Sequence, residues 1–448
     1  MATKDLTAWL SYIESLHPKS IAMGLDRVQL MIARLQLHPA FPIIAVAGTN
    51  GKGSTCAMLE QIYLQAGYHV GCYSSPHLLR YNERVRVDGM EVNDESLCAA
   101  FSAVDVARLD ENNLVIPLTY FEVGTLAAMW HFMQTGVDIA ILEVGLGGRL
   151  DAVNAFEPNC SIVTSIDLDH QEFLGNTRES IGFEKAGVFR PSIPAICGDI
   201  NPPASLIAYA HKINADLKCI HQDFDYTSHQ SSWQYQVHGN VIHTLPLPAL
   251  QGAYQLNNAA CAITAVESLQ SKLPVETEKI ADAMRDVKLA GRFQTVVKSP
   301  SEKQSPWVIL DVAHNPHAAK ALAENLRVAK LQRNKAGSGK TFAVFAMLAD
   351  KDITGVIDAV HTEIDAWYIA NIEHTRGALA ADLAETIKNV TPNAIVQVFD
   401  RADNAYLQAC IDIEACIDVN ENDKIVVFGS FFTVSTVMQL LSNQSCKR

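Results

Sequence analysis

Short unbroken apolar runs alternate with stretches of helical periodicity along most of this chain. Leu6 to Leu37 places apolar residues at helical spacing, with Pro18 marking a break between two amphipathic helices. Phe41 to Ala47 is a continuous apolar run ending at Gly48, and Thr55 to Ala66 returns to helical spacing, so the order reads strand, glycine loop, helix. Val70 to Tyr73, Ile139 to Glu143 and Ser161 to Ile166 repeat the buried-strand character, each before a polar or glycine-rich turn. Strands alternating with helices predict a parallel sheet covered on both faces.

A second block of the same kind follows Gly291-Arg292-Phe293. Trp307 to Leu310, Phe342 to Met347, Ala366 to Ile369, Ile395 to Phe399 and Lys424 to Phe428 are strand-like, with helical segments between them. The Ser/Pro/Lys stretch from Ser299 to Pro306 suits a hairpin tip or a linker. With 448 residues the chain exceeds one ordinary domain, and two domains are expected, residues 1–293 and 294–448. The class is α/β throughout, without an internal repeat or a low-complexity tract.

Composition narrows the function by exclusion. A hydrophobic content of 48% and a charged content of 19% describe a globular chain. No apolar run approaches the roughly 20 residues that span a bilayer, and the first residues lack the order of a signal peptide, so a cytoplasmic protein without a membrane partner is expected. The 10 cysteines are dispersed with no CxxC pair, which fits reduced, buried thiols. A net charge of −14 argues against nucleic acid as a partner. An anionic ligand would therefore need local positive groups.

Gly48-Thr-Asn-Gly-Lys-Gly-Ser-Thr55 supplies them. Backbone N–H groups between a strand and a helix N-terminus can hold a triphosphate. Thr49, Asn50, Gly51, Lys52, Gly53, Ser54 and Thr55 are the expected ATP-binding residues, with Lys52 reaching the terminal phosphates and Ser54 or Thr55 orienting magnesium. The spacing departs from GxxxxGK[ST], since Val46 stands at the first glycine and Gly53 precedes the hydroxyls. A glycine turn that merely caps a helix is the alternative. Residues 336–341, AGSGKT, form a decoy, because they precede a strand instead of following one, and a loop is expected there.

Several strings, taken together, resemble the dihydrofolate synthase/folylpolyglutamate synthase family of Mur-ligase-like enzymes: AGTNGKGST, YSSPHLLRYNERVRVDG, TYFEVGTLAA, ILEVGLGGRLDAVN, TSIDLDHQEFLG, ESIGFEKAGVFR, GRFQ, DVAHNPHA and MLADKD. They run in order from Ala47 to Asp352. The resemblance implies an N-terminal phosphate-loop domain of the Mur-ligase central type, which also carries the pterin or folate site, and a smaller Rossmann-like C-terminal ligase domain.

It also implies residue roles. Ser75, Glu143 and His170 would be magnesium ligands, joined by Lys185 as a carbamate. Oxygen donors suit Mg²⁺. Taken singly, Ser75 also suits a turn hydroxyl, Glu143 a strand-end cap, His170 a satisfied loop histidine and Lys185 a surface partner of Glu184 or Glu179. Thr119, Tyr120, Phe121, Glu122, Leu150, Asp151 and Ala152 would line the pterin pocket, where a flat heterocycle needs apolar walls and a few placed polar groups. Asn258, Arg292 and Asp311 would also hold ATP, and His314 would join Lys52 and Lys185 as catalytic; an interdomain ion pair is the alternative role for Arg292. Two departures from the family pattern stand out, Ala346 in place of a glycine and the pair Phe431-Phe432.

The implied reaction is ATP-dependent amide formation through an acyl phosphate. L-Glutamate would be added to dihydropteroate and to the γ-carboxylate of reduced folates, with Mg²⁺ and a monovalent cation as candidate ions and a monomer as the expected state. A cell-wall Mur ligase and a phosphate-loop NTPase switch are the competing readings.

Overall fold

The computed structural model describes residues 4–19, 21–109, 115–252, 254–296, 307–332, 339–415 and 423–445. The chain divides into two compact units, Met1–Ala249 with Leu256–Val287 and Leu250–Gln255 with Lys288–Arg448.

In the first unit, eight described strands make one sheet: β1 Ile43–Ala47, β2 Val70–Tyr73, β3 Val85–Val87, β4 Met90–Glu91, β5 Ile139–Glu143, β6 Cys160–Val163, β7 Pro194–Cys197 and β8 Asp216–Cys219. Their order is β4-β3-β2-β5-β1-β6-β7-β8, with β2 to β8 parallel and β3 and β4 added antiparallel at one edge. Every residue of β1 is buried. Ile43 and Ala47 join a core with Tyr73, Leu142 and helical residues such as Met31, Phe101 and Leu126. The alternate residues Ile44 and Val46 are equally buried on the opposite face, where the helix Lys52–Gln65 packs against β1, β2 and β5. Full burial of each Val or Ile contributes about 1.5–3 kcal/mol. That burial fixes β1 at the sheet centre and delivers Gly48 to its C-terminal edge.

The expected N-terminal helices are Leu6–Glu14 and Asp26–Leu35. A small antiparallel sheet follows β8, formed by β9 Phe224–Ser228, β10 Ser232–Val237 and β11 Asn240–Pro246 in the order β11-β10-β9.

The second unit holds a six-stranded sheet of described strands, β12 Gln294–Val296, β13 Trp307–Leu310, β14 Thr341–Phe345, β15 Ala366–Ala370, β16 Ile395–Phe399 and β17 Lys424–Phe428. The order is β12-β13-β17-β14-β15-β16, parallel except at β12. The stretch Ser299–Pro306 and residues 336–338 of the decoy lie outside the described residues, and Thr341, the decoy's last residue, opens β14. Ala346, one of the two departures, is fully buried at the end of β14 and its carbonyl accepts the Thr433 hydroxyl at 2.8 Å.

Candidate active site

Four adjacent strands of the first unit, in the order β2-β5-β1-β6, send their C-terminal ends to the same edge. Ser75 follows β2, Glu143 ends β5, the Gly48–Thr55 loop follows β1, and the segment from Ser165 to His170 follows β6. The chain leaves β1 for β2 on one side and β6 for β7 on the other. Strand order therefore reverses between β1 and β6, where open α/β sheets bind their ligands.

The β1 loop is laced to the segment after β6. Thr49 N–H donates to the Ser165 carbonyl at 2.7 Å, Asn50 N–H to the Ser165 hydroxyl at 3.1 Å, and the Thr164 hydroxyl to the Asn50 carbonyl at 2.6 Å. Two glycines in this loop are required by space and by backbone. Gly48 has φ of +147° and an added Cβ would fall 1.9 Å from Thr164 Oγ1; Gly51 has φ of +89° and its Cβ would fall 2.4 Å from Asn258 Oδ1. Asn258, 5% exposed, is thereby placed against the loop. Lys52 Nζ donates to the carbonyls of Gly48 at 3.0 Å and Thr49 at 3.2 Å, so the side chain arches over the loop. The Thr55 hydroxyl is buried without a hydrogen-bond partner among the described residues. A built cradle and helix N-terminus of this kind fit a polyphosphate. Gly51→Ala should lower the melting temperature, consistent with backbone strain of about 1–3 kcal/mol, and should abolish the thermal shift produced by added ADP; an unchanged ADP shift would remove Gly51 from the cradle.

Ser75 and Glu143 meet directly. Ser75 N–H donates to Glu143 Oε2 at 3.1 Å, and Glu143, 4% exposed, lies beside Val46 in the register of β1 and β5. Lys185 is 3% exposed on the helix Arg178–Ala186 and is not the surface lysine that spacing alone allowed. Glu184 instead pairs with Arg149 at 2.8 Å, and Glu179 accepts the N–H groups of Ala204 and Ser205. Gly148 makes that burial possible, since a Cβ there would fall 2.8 Å from the Glu184 carbonyl and 3.0 Å from that of Lys185. Burial pulls the Lys185 pKa down to about 7, Lys52 adds to the fall, and Asp169 and Asp151 oppose it. Asp151, 5% exposed, is pushed up to about 7 by burial, against backbone N–H groups and Lys52. Lys52, Lys185, Asp151 and Asp169 thus share one electrostatic neighbourhood. His170 has a left-handed φ of 50° and its carbonyl accepts the N–H groups of Phe173 and Leu174.

Among the described residues no three His, Cys, Asp or Glu side chains group closely enough to hold a metal by themselves. The expected set differs in kind, drawing on a serine hydroxyl and a modified lysine. Of that set, Ser75 and Glu143 meet through the Ser75 N–H, and the Glu143 carboxylate is an oxygen donor of the kind hard divalent cations take.

Of the residues expected around a pterin, Thr119 and Glu122 form a capping box for the helix Tyr120–Thr135: Thr119 N–H donates to Glu122 Oε2 at 2.7 Å and Glu122 N–H to Thr119 Oγ1 at 3.2 Å. Glu122 also pairs with Arg27 at 2.8 Å, a partner that sequence spacing did not reveal. The box sets the start of the helix, hence the positions of Tyr120 and Phe121. The Phe121 ring covers Gly145, whose added Cβ would fall 2.7 Å from it, and lies 5.8 Å from the Tyr73 ring. Leu150 is half-buried and Ala152 buried on either side of Asp151, which accepts N–H bonds from Leu146 at 2.8 Å and Val153 at 3.0 Å.

In the second unit, Arg292, Asp311 and His314 gather near the ends of β13 and β17. Asp311 accepts the N–H groups of Phe293 at 2.9 Å and Ala313 at 2.8 Å, and burial raises its pKa against the pull of Arg292. Arg292 lies 5.2 Å from the Phe431 ring, and the His314 ring lies 6.1 Å from the same ring. Phe431 is therefore the platform of this cluster, a role that its sequence, read only as a departure from a pattern, did not reveal.

The Mur ligase middle domain matches residues 46–266 and the Mur ligase glutamate ligase domain matches residues 291–431. The dihydrofolate synthase/folylpolyglutamate synthase of Escherichia coli (strain K12) is 43% identical over 441 residues, covering 98% of this chain and 96% of that protein. The chain belongs to the dihydrofolate synthase/folylpolyglutamate synthase family. The Haemophilus influenzae protein of the same description is 40% identical over 446 residues, covering 97% of each chain. Escherichia coli FolC in complex with DHPP and ADP superposes with a TM-score of 0.89 at 41% identity, covering 99% of both chains. A bifunctional folylpolyglutamate synthase/dihydrofolate synthase with Mn, AMPPNP and L-glutamate bound gives 0.86 at 42% identity, again over 99% of both. As a member of this family the chain is an ATP-dependent ligase, and these full-length likenesses favour it over a cell-wall ligase or a nucleotide switch. No helix among the described residues is long and apolar enough to cross a membrane.

Proposed function

We propose that this ligase joins L-glutamate to dihydropteroate and to the γ-carboxylate of reduced folates, using ATP with a divalent metal ion, Mg²⁺, and with a monovalent cation as an additional candidate. The observation that carries the reading is the convergence, on one sheet edge, of the Lys52 loop, the Ser75–Glu143 pair and the buried Lys185–Asp151 neighbourhood. A carboxylate oxygen of the acid attacks the γ-phosphorus of ATP, the bond to the β,γ-bridging oxygen breaks, and ADP leaves. The glutamate amine then attacks the acyl carbon and loses a proton as inorganic phosphate departs. Negative charge accumulates in both steps, and fixed positive groups aimed at it lower both barriers.

Each residue then has a task. The loop from Thr49 to Thr55 and Asn258 hold the nucleotide, Lys52 offsets charge on the transferring group, and Arg292 and Asp311 of the second unit are assigned to nucleotide binding with His314 as a catalytic group. Ser75, Glu143, His170 and carboxylated Lys185 would hold Mg²⁺, which when bound neutralises phosphate oxygens. A lysine lowered to about 7 has a neutral amine available for CO₂ at physiological pH. Phe121 and Tyr120 offer aromatic faces to a pterin, and Asp151 with Leu150 and Ala152 offers a buried polar edge. The phosphate loop and the pterin site are assigned to the first unit, and Arg292, Asp311 and His314 to the second, the ligase domain, in a cytoplasmic monomer.

The deciding assay measures phosphate release with dihydropteroate or tetrahydrofolate, each with and without L-glutamate. Release that requires both the acid and glutamate is expected with each acid. Equal release without any acid would sink the proposal.

A further inference from the structure

Glu60 and Arg86 form an ion pair behind the Ser75 turn that the reaction scheme leaves unused. Glu60 projects from the helix Lys52–Gln65, the helix that opens with the phosphate loop, and Arg86 from β3. Their closest approach is 2.7 Å, and the side chains are 8% and 16% exposed. The guanidinium makes further bonds. Arg86 Nη1 donates to Ser74 Oγ at 3.0 Å and to the Glu83 carbonyl at 2.9 Å, Nη2 to Cys72 Sγ at 3.2 Å, and Nε to both Glu60 oxygens at 3.1 and 3.2 Å. One planar cation thus ties together the phosphate-loop helix, the end of β2 and Ser74. The next residue, Ser75, is the one whose N–H is bonded to Glu143. Burial raises the Cys72 thiol pKa, and both Glu60 and Glu143 add to the rise, so Cys72, which Arg86 bonds, feels both carboxylates.

The geometry points to Arg86, held by Glu60, as a positioning residue that sets the Ser74–Ser75 turn relative to the phosphate loop, so that metal and nucleotide are bound in one register. This rests on reading Ser75 as a metal ligand. A paired, buried charge is a costly way to add stability, because two ions are desolvated for one contact. A planar fork, however, holds its three partners in one fixed geometry, whereas the rotatable ammonium of a lysine does not. Groups that orient metal ligands typically carry about 10- to 100-fold in affinity.

Three full-length variants test this: Arg86→Lys, which keeps a cation near Glu60 but loses the fork; Ser74→Ala, which removes only the contact to the turn and leaves the ion pair; and Ser75→Ala. Mn²⁺ affinity is read by electron paramagnetic resonance with and without ADP, alongside thermal melting and the Mg²⁺ concentration giving half-maximal activity. Arg86→Lys should weaken Mn²⁺ binding about tenfold and raise the Mg²⁺ requirement with a smaller change in the rate at saturating Mg²⁺. Ser74→Ala should shift both in the same direction by a lesser factor while melting like the wild type. If Ser75→Ala weakens Mn²⁺ binding but the other two do not, the positioning role is overturned and the Ser75 reading stands. If Ser75→Ala also leaves Mn²⁺ binding unchanged, the ligand reading falls and the positioning role falls with it.

Discussion

Lys52→Ala should cut ATP-dependent amide formation by about two to three orders of magnitude, the range seen when a preorganised donor to developing charge is removed. The fold should survive. Lys52 is only half-buried, and among the described residues its ammonium bonds the carbonyls of its own loop at Gly48 and Thr49. The loop itself is held by the bonds of Thr49, Asn50 and Thr164, which the substitution leaves in place. The variant should therefore melt near the wild-type temperature and still bind ADP, while trapping with hydroxylamine should detect no acyl phosphate in a single turnover. A second effect follows from charge. Lys52 helps to lower the Lys185 pKa, so its removal raises that pKa and leaves fewer neutral Lys185 amines at pH 7. A Lys52→Ala protein that forms amide at the wild-type rate would end the phosphate-loop assignment.

Much of this framework can be read from the chain itself because a central parallel strand is buried on both faces and must be apolar without interruption. Val70–Tyr73, Ile139–Glu143 and Lys424–Phe428 are such strands over the same residues that the apolar runs marked; Ile395–Phe399 is a strand over the marked residues too, but at the sheet edge and partly exposed, so its β-branched and aromatic residues alone announce it. The antiparallel sheet of β9 to β11 escaped notice for the opposite reason. Trp233 and Tyr235 point inward while Val241 and Ile242 are exposed, so no continuous run announces it. In the site, the glycine loop was legible because backbone requirements leave a local signature. Partners distant in sequence leave none. Arg27 on Glu122, Glu60 on Arg86, Asp169 near Lys185 and Phe431 beside Arg292 depend on how the strands order the loops. The reverse also occurs, in that Lys185 has the local pattern of a surface helix residue and is buried only because Gly148 lets the loop from Gly145 to Arg149 close over it.

That burial makes Lys185 the position where pH and carbon dioxide should act together. A lysine whose pKa falls from 10.5 to about 7 is neutral in an appreciable fraction of molecules at pH 7, and each pH unit below that reduces the neutral fraction about tenfold. Only the neutral amine adds to CO₂. Stripping CO₂ from the buffer should thus lower activity, more deeply at pH 6 than at pH 8, and restoring bicarbonate should recover it. Equilibration with ¹³CO₂ should give a carbamate resonance that Lys185→Ala lacks. Lys185→Arg keeps a cation that cannot be neutralised, and both variants should lose about 100-fold or more in activity, the upper range for groups that organise a metal site. Removing the amine should cost activity but gain stability at low pH. With the folded pKa depressed, the native state binds fewer protons than the unfolded chain between about 7 and 10.5, so stability rises with pH across that window and the penalty of the buried charge is fully present below it. Lys185→Met, which fills the same space without charge, should therefore melt higher than the wild type at pH 6 while remaining inactive. Wild-type activity in Lys185→Ala, or a wild-type carbamate signal in that variant, would remove Lys185 from the metal site.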